Sequence, residues 1–534
     1  MWLDTLSLLV LFTVSSAAVH SASLLNISIV DLTSSLEAGV LTSQDLVTLY
    51  TKRIEEVNEE LNAVIEINPD AQSIAEALDA ERAIGMTVDS MPTGAGSVCL
   101  AKAGFPTVEA TVVAKLREAG AIILGKANLA EFSGARGSDT PQGWSPRGGQ
   151  TLGAYVYNQT ACGSSSGSAV AAALGLAAGT LGTDTSGSIT CPAMYNNVVG
   201  IKPTVGLTSR FGTVPARQDT AGPLAQSVED AALILDAIVG KDPNDNYTSA
   251  QPWEAVPSFT EGLNTSALQQ ARIGVVWMNE SFFHTSNFAN LQYIKPAFDQ
   301  AIVDLQAAGA ELVNVDLDLN GLTVSEITKS VYNIVKYYLT ADMKEGIERY
   351  FGQILDPDRA FIRNISDLVE CMKHEPKELT SRFNIGFIEE VSLSNETAGG
   401  LKAWEAYTNV STITRHMVVS PMGRNGLDAL VMLPEGIALA IAAAAGLPMV
   451  MGAIGQGAET FWDEGHILIE SGPGVPLGIS FVADRFSDHQ LVQYAYAYEQ
   501  HSKRRNLIAP IKKPISDLEY ILNQWESGNF GNEL

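Results

Sequence analysis

The chain has 534 residues, 46% of them apolar, and its 60 acidic side chains outnumber the 33 basic ones, for a formal net charge of -27. Sparse charge and frequent apolar runs exclude a disordered chain. A nucleic-acid partner is excluded because phosphate binding needs a basic patch, and the longest basic cluster is Lys503-Arg504-Arg505.

In chain order, the first feature is an apolar stretch from Leu6 to Val14 followed by small residues, with cleavage expected after Ala18 or Ala22. It reads as a secretory signal peptide over residues 1–22, although the positive n-region is weak, and it is too short for a stable membrane span. The rest, 23–534, is expected to be one large domain. Sequons N-x-S/T begin at Asn26, Asn158, Asn246, Asn264, Asn279, Asn364, Asn395 and Asn409, as expected of a secreted glycoprotein. The four cysteines, Cys99, Cys162, Cys191 and Cys371, match no zinc or redox spacing. One or two disulfides or four buried thiols both fit, and the pairing stays open.

Helical spacing predicts helices over 43–60, with Ser43 as N-cap, and over 69–84 and 110–120; short apolar runs predict strands at 61–67 and 121–125. Residues 143–162 read as a loop. "GSAVAAALGLAAG" (167–179) is apolar all round and so an internal helix. Strands follow at 198–201, 273–277, 310–317, 428–433, 447–452 and 478–483, with helices at 228–239, 292–310 and 488–505; the stretch 320–425 is mostly helical. This alternation, without repeats or linkers, predicts an α/β architecture around a largely buried sheet.

Residues 161–190, "ACGSSSGSAVAAALGLAAGTLGTDTSGSIT", set a hydroxyl cluster at each end of the internal helix. Ser164, Ser165 and Ser166 precede it, where a helix start leaves free N–H groups. The chain returns through "LGTDT" into "SGS" and a second helical turn. A turn with consecutive free N–H groups can hold an oxyanion, and a serine in it can be a nucleophile. Small residues would equally serve close helix–sheet packing.

This stretch, continuing into "VVGIKPTVGLTSRFGTVPARQDTAGPLAQSVEDAALILDAIVG", resembles the signature of the amidase signature family, serine hydrolases that cleave amides. The likeness covers most of 35–510, is strongest in 110–240, and points to secreted fungal-type members. It implies a single domain with a twisted mixed β-sheet flanked by helices, and a Ser–Ser–Lys triad. By that resemblance Ser188 is the nucleophile and Ser164, after a cis peptide bond, the bridging serine. The N–H groups of Thr185, Ser186, Gly187 and Ser188 form the oxyanion hole, and Ser165 and Asp184 support the site. The substrate is a small-molecule amide, with no cofactor and no metal; the histidines show no ligand spacing. Oligomeric state stays open.

The chain departs from the family in two places. The triad lysine belongs to a strand of the pattern G-I-P…K-D-N, expected between the helix at 69–84 and "MPTGAGS". Here the chain passes from Gly85 to Met91 with no such strand and no lysine. Lys102 falls past the "AGS" motif, and Lys126 and Lys202 match other family positions. A serine hydroxyl without a base is a weak nucleophile, so this chain is expected to be inactive or severely impaired. The second departure is Thr190, where the family has an arginine that pairs with the residue matching Asp184. Asp184 then needs Thr190 or backbone N–H groups as partners. Amide hydrolysis is the first reading. A non-catalytic binding or vestigial protein is the alternative, and ester or carbamate hydrolysis on the same scaffold a further one. A transfer-RNA amidotransferase role sits badly with a signal peptide.

Overall fold

The structure, a computed structural model, describes residues 23–81, 93–213, 216–276, 294–354, 362–434, 436–457, 461–462 and 468–519. The expected signal peptide and the Gly85–Met91 junction lie outside the described residues, as does Asn279.

Eight strands form one sheet: β1 (Thr180–Asp184), β2 (Val199–Lys202), β3 (Thr220–Ala225), β4 (Arg272–Val276), β5 (Glu311–Val315), β6 (Ala429–Met432), β7 (Met449–Gln456) and β8 (Pro476–Val482), in the spatial order β1-β3-β2-β7-β8-β6-β4-β5. The β6–β4 and β4–β5 pairs are parallel and the other neighbours antiparallel, so the sheet is mixed. Every residue of β2, β3, β6 and β8 is buried, as expected of strands covered on both faces. The helices of this layer are α1 (Ser43–Leu61), α2 (Ser166–Ala173), α3 (Thr190–Tyr195), α4 (Val228–Ile238), α5 (Lys295–Ala307), α6 (Val324–Arg349), α7 (Leu401–Asn425) and α8 (Asp488–Ser502). One continuous core runs through Val170, Ile201, Leu224, Leu235, Ile273, Met451 and Phe481. A smaller core, holding Cys99, Leu100, Ile347, Leu368 and Ile388, lies beside it.

Local chemistry sets several boundaries. Thr42, not Ser43, caps α1, because Thr42 Oγ1 accepts from Asp45 N while Asp45 returns a bond to Thr42 N. Ser227 caps α4 as the sequence predicts. The run at 121–125 does not join the main sheet: Gly125–Ala127 pairs instead with Val64–Ile67 in a two-stranded ribbon. The internal helix is shorter than predicted, ending at Ala173, with Gly175 in the left-handed region at φ +57°. Strands β1 and β3 were not distinguished in the sequence, since their Gly and Thr content masks any period-two pattern. They pair antiparallel in register from Thr180↔Leu224 to Asp184↔Thr220, and that edge of the sheet carries the serine turn.

Among the described residues no helix is long and apolar enough to cross a membrane. All four cysteines are paired, Cys99 with Cys371 and Cys162 with Cys191.

Candidate active site

The two hydroxyl clusters meet. Strand β1 runs back along α2 and is tied to it by hydroxyls: Ser168 Oγ donates to Leu181 O at 2.8 Å, and Thr180 Oγ1 donates to Ser168 O at 3.0 Å. Ser165 Oγ donates to Thr183 O at 3.1 Å and accepts from Thr183 N at 3.2 Å, while Ser165 N donates to Ser188 O at 3.1 Å. Small side chains make this approach possible. A Cβ on Gly182 would lie 2.6 Å from Ser165 Oγ, and one on Gly167 would lie 2.2 Å from Ala63 O. Packing and chemistry are therefore both served by the same serines.

Ser164, Ser165 and Ser188 are 2%, 6% and 9% exposed. The Gly163–Ser164 peptide bond is cis, as the resemblance implies, and Ser164 O accepts from Ala130 N at 3.0 Å. Beyond β1 the turn 185–188 opens onto a cavity of about 1390 Å³, lined by Thr185, Ser186, Gly187 and Ser188 on one side and by Phe132, Gln142 and Phe387 elsewhere. Asp184 shapes the turn. Its Oδ1 accepts from Gly187 N at 2.8 Å and its Oδ2 from Ile189 N at 2.7 Å, and the carboxylate is 1% exposed. Of the two sets of partners expected for Asp184, the backbone N–H groups are the ones used; Thr190 Oγ1 is buried with no partner. The Gly187 N–H is thus committed to Asp184. Those of Thr185, Ser186 and Ser188 have no acceptor among the described residues. Gly187 adopts φ +99°, and a Cβ there would also meet Leu439 at 2.5 Å.

Charges near the turn are individually accounted for. Lys202 is fully buried, donates to Leu447 O at 2.8 Å, and is pulled below the usual lysine range by burial, against the opposing pull of Asp184 and Asp488. Lys102 pairs with Glu375, and Lys126 donates to Thr93 Oγ1. Lys336 is the lysine that lines the cavity among the described residues, and it is paired with Glu390 at 2.8 Å. No lysine among the described residues hydrogen-bonds to Ser164 or Ser188.

Sequence reasoning missed three residues of the site. Gln218 Nε2 donates to Thr185 O at 2.7 Å, and Tyr338 from α6 holds Gln218 Oε1 in turn. Asp219 lines the cavity and accepts from Ala216 N at 2.7 Å, and burial pushes its carboxyl up to about 7. Gln218 and Asp219 sit in the quoted "ARQDTAGPL", where a polar pair before a buried strand was the available signal. Tyr338 lies in the irregular helical stretch and carries no signal of its own.

The family model described as Amidase matches residues 45–492. The chain belongs to the amidase family. A relative from Arthroderma benhamiae that carries an amidase name is 37% identical over 510 residues, covering 89% of this chain and 82% of its own. The amidase fold is shared with the peptide amidase of Stenotrophomonas maltophilia, with a TM-score of 0.79 and 33% identity over 91% of this chain and 99% of the other. An amidase family protein from Bacillus anthracis superposes with a TM-score of 0.77 at 29% identity, covering 92% and 93%. The single-domain fold with a mixed sheet between helices is therefore that of the family.

Proposed function

We propose that this amidase scaffold hydrolyses carboxamides by acyl transfer to Ser188. Ser188 Oγ attacks the carbonyl carbon as its proton moves to Ser164, which gives its own hydroxyl proton to the triad lysine that the family resemblance implies and this chain lacks. The carbonyl oxygen, now negative, is received by the N–H groups of Thr185, Ser186 and Ser188, with Gly187 kept by Asp184 as the pivot of the turn. The C–N bond then breaks, ammonia leaves with the proton, and water releases the acid. Preorganised N–H donors of this kind are worth about 3–4 kcal/mol each in the transition state.

The observation that carries this reading is the meeting of the two serine segments, Ser165 N donating to Ser188 O at 3.1 Å, with Ser188 on the cavity wall beside three N–H groups that have no acceptor among the described residues. Likeness to a peptide amidase and a cavity of about 1390 Å³ support a peptide C-terminal carboxamide as substrate. The test is labelling by an alkyl fluorophosphonate in a chain given a lysine-bearing G-I-P…K-D-N strand at the Gly85–Met91 junction. The adduct falls on Ser188 and is lost in Ser188→Ala; an adduct on any other residue overturns the assignment.

A second reading is favoured by the missing lysine: the chain as it stands keeps the scaffold but lacks the base. Secretion rests on a separate support. Both cysteine pairs are disulfides, and six of the seven described sequon asparagines are exposed. The seventh, Asn364, is half-buried and spends its side chain capping a helix at Asp367 N.

A further inference from the structure

Of the two disulfides, one touches the site. Cys162 stands two residues before Ser164 and Cys191 three residues after Ser188. Both line the cavity, Cys162 half-buried and Cys191 nearly fully buried. Cys162 adopts φ +56°, a conformation costly for a residue with a side chain, and its N–H donates to Thr160 Oγ1 at 3.1 Å. Cys191 N donates to Gly187 O at 2.8 Å, which places it in the first turn after the serine turn. The bond therefore joins the loop that carries one hydroxyl to the turn that carries the other, across 29 residues of chain.

Among the described residues, the other ties between these two segments run through Ser165: its N donates to Ser188 O, and its Oγ donates to Thr183 O and accepts from Thr183 N. Proton transfer between two hydroxyls requires them within about 2.6–3.2 Å of each other. Three hydrogen bonds through the single residue Ser165, each free to open and close, hold two loops to that tolerance less tightly than a covalent clasp, which does not open. The Cys99–Cys371 bond, by contrast, joins two helices of the smaller core and carries neither loop.

We propose that the Cys162–Cys191 disulfide is a positioning element for the reacting hydroxyls, and that the Ser164 loop and the Ser188 turn are fully set against each other only in the oxidised chain. This rests on the reading of Ser164 and Ser188 as the reacting pair. The effect is local: the bond fixes two short segments rather than bracing the fold.

The test compares backbone amide exchange by mass spectrometry in the full chain, its Cys162→Ala/Cys191→Ala variant and its Cys99→Ala/Cys371→Ala variant. Exchange over 160–168 and 183–192 rises about tenfold or more in the first variant and stays unchanged in the second, even where the second lowers the thermal midpoint. Mild dithiothreitol treatment of the Cys99→Ala/Cys371→Ala chain reproduces the rise in those segments, and removal of the reductant reverses it. Unchanged exchange in the two segments overturns the proposal. So does a rise spread over the whole chain, or loss of folding on reduction, either of which marks a general brace. Neither readout needs turnover, so fluorophosphonate labelling away from Ser188 would fail the catalytic reading separately.

Discussion

Asp184→Asn isolates what holds the nucleophile turn. The carboxylate is 1% exposed and accepts from Gly187 N and Ile189 N at 2.8 and 2.7 Å. Asparagine keeps one acceptor, and its Nδ2 then faces a backbone N–H. One charge-assisted bond is lost, at about 1.5–3 kcal/mol, and a buried donor is left unmade, at about 1–3 kcal/mol. Buried Lys202 also loses one of the carboxylates that favour its cation. The expected destabilisation is therefore about 3–5 kcal/mol, read as a lower urea midpoint by tryptophan fluorescence at unchanged m. Adding Lys202→Met to Asp184→Asn recovers part of the loss, because the buried cation that has lost one of its carboxylates is gone. A single variant within about 0.5 kcal/mol of the parent would refute the reasoning, since that is the range of an ordinary surface change.

Three further outcomes are expected. Gly167→Ala places a Cβ 2.2 Å from Ala63 O and 2.5 Å from Asn128 N, all backbone, so the variant loses about 3 kcal/mol or more or fails to express as a folded chain; a normal thermal midpoint would contradict this. Glu131, Asp219 and Glu499 are carboxyls pushed up by burial, to about 8, 7 and 7 from 4.5, 3.8 and 4.5. Being raised in the folded state, they contribute stability that is complete below their unfolded values and lost as pH rises through their folded ones, so the thermal midpoint falls between about pH 5 and pH 8. Glu131→Gln flattens that fall; a midpoint that climbs over this window would contradict the assignment. If the chain is secreted, glycopeptide mass spectrometry finds glycans on the exposed Asn26, Asn158, Asn246, Asn264, Asn395 and Asn409 and least on Asn364; unmodified asparagine at all of them would remove the case for secretion.

The parts of the fold that were legible in the sequence are those with one dominant local signal. Helix α4 announces itself by Ser227 and an apolar period, and β6 and β8 by apolar runs between turn residues. Strands β1 and β3 were not, because Thr180–Asp184 and Thr220–Ala225 are built of small residues whose strand state comes from pairing with each other and from α2 packed on top. The hydroxyl clusters could be found because Ser, Gly and Ala are concentrated there, a pattern that close packing would equally explain, and the family resemblance supplied their roles. Local sequence could not show that Gly187 N–H belongs to Asp184, or that Tyr338 reaches Thr185 through Gln218, since both depend on how distant segments close around the turn. The disulfide pairing was equally hidden: 29 and 272 residues separate the partners, and only the fold brings them together.

The central claim is that this amidase scaffold works through Ser188 and that the chain as it stands lacks the base. Ammonia release from a C-terminally amidated peptide tests it most directly, measured for this chain, for the chain carrying the lysine-bearing strand at the Gly85–Met91 junction, and for Ser188→Ala in each. The account predicts that this chain turns over no faster than its Ser188→Ala form, while the restored chain releases ammonia and loses that activity with Ser188→Ala. Ser188-dependent turnover by the chain as it stands, or none by the restored chain, would contradict it.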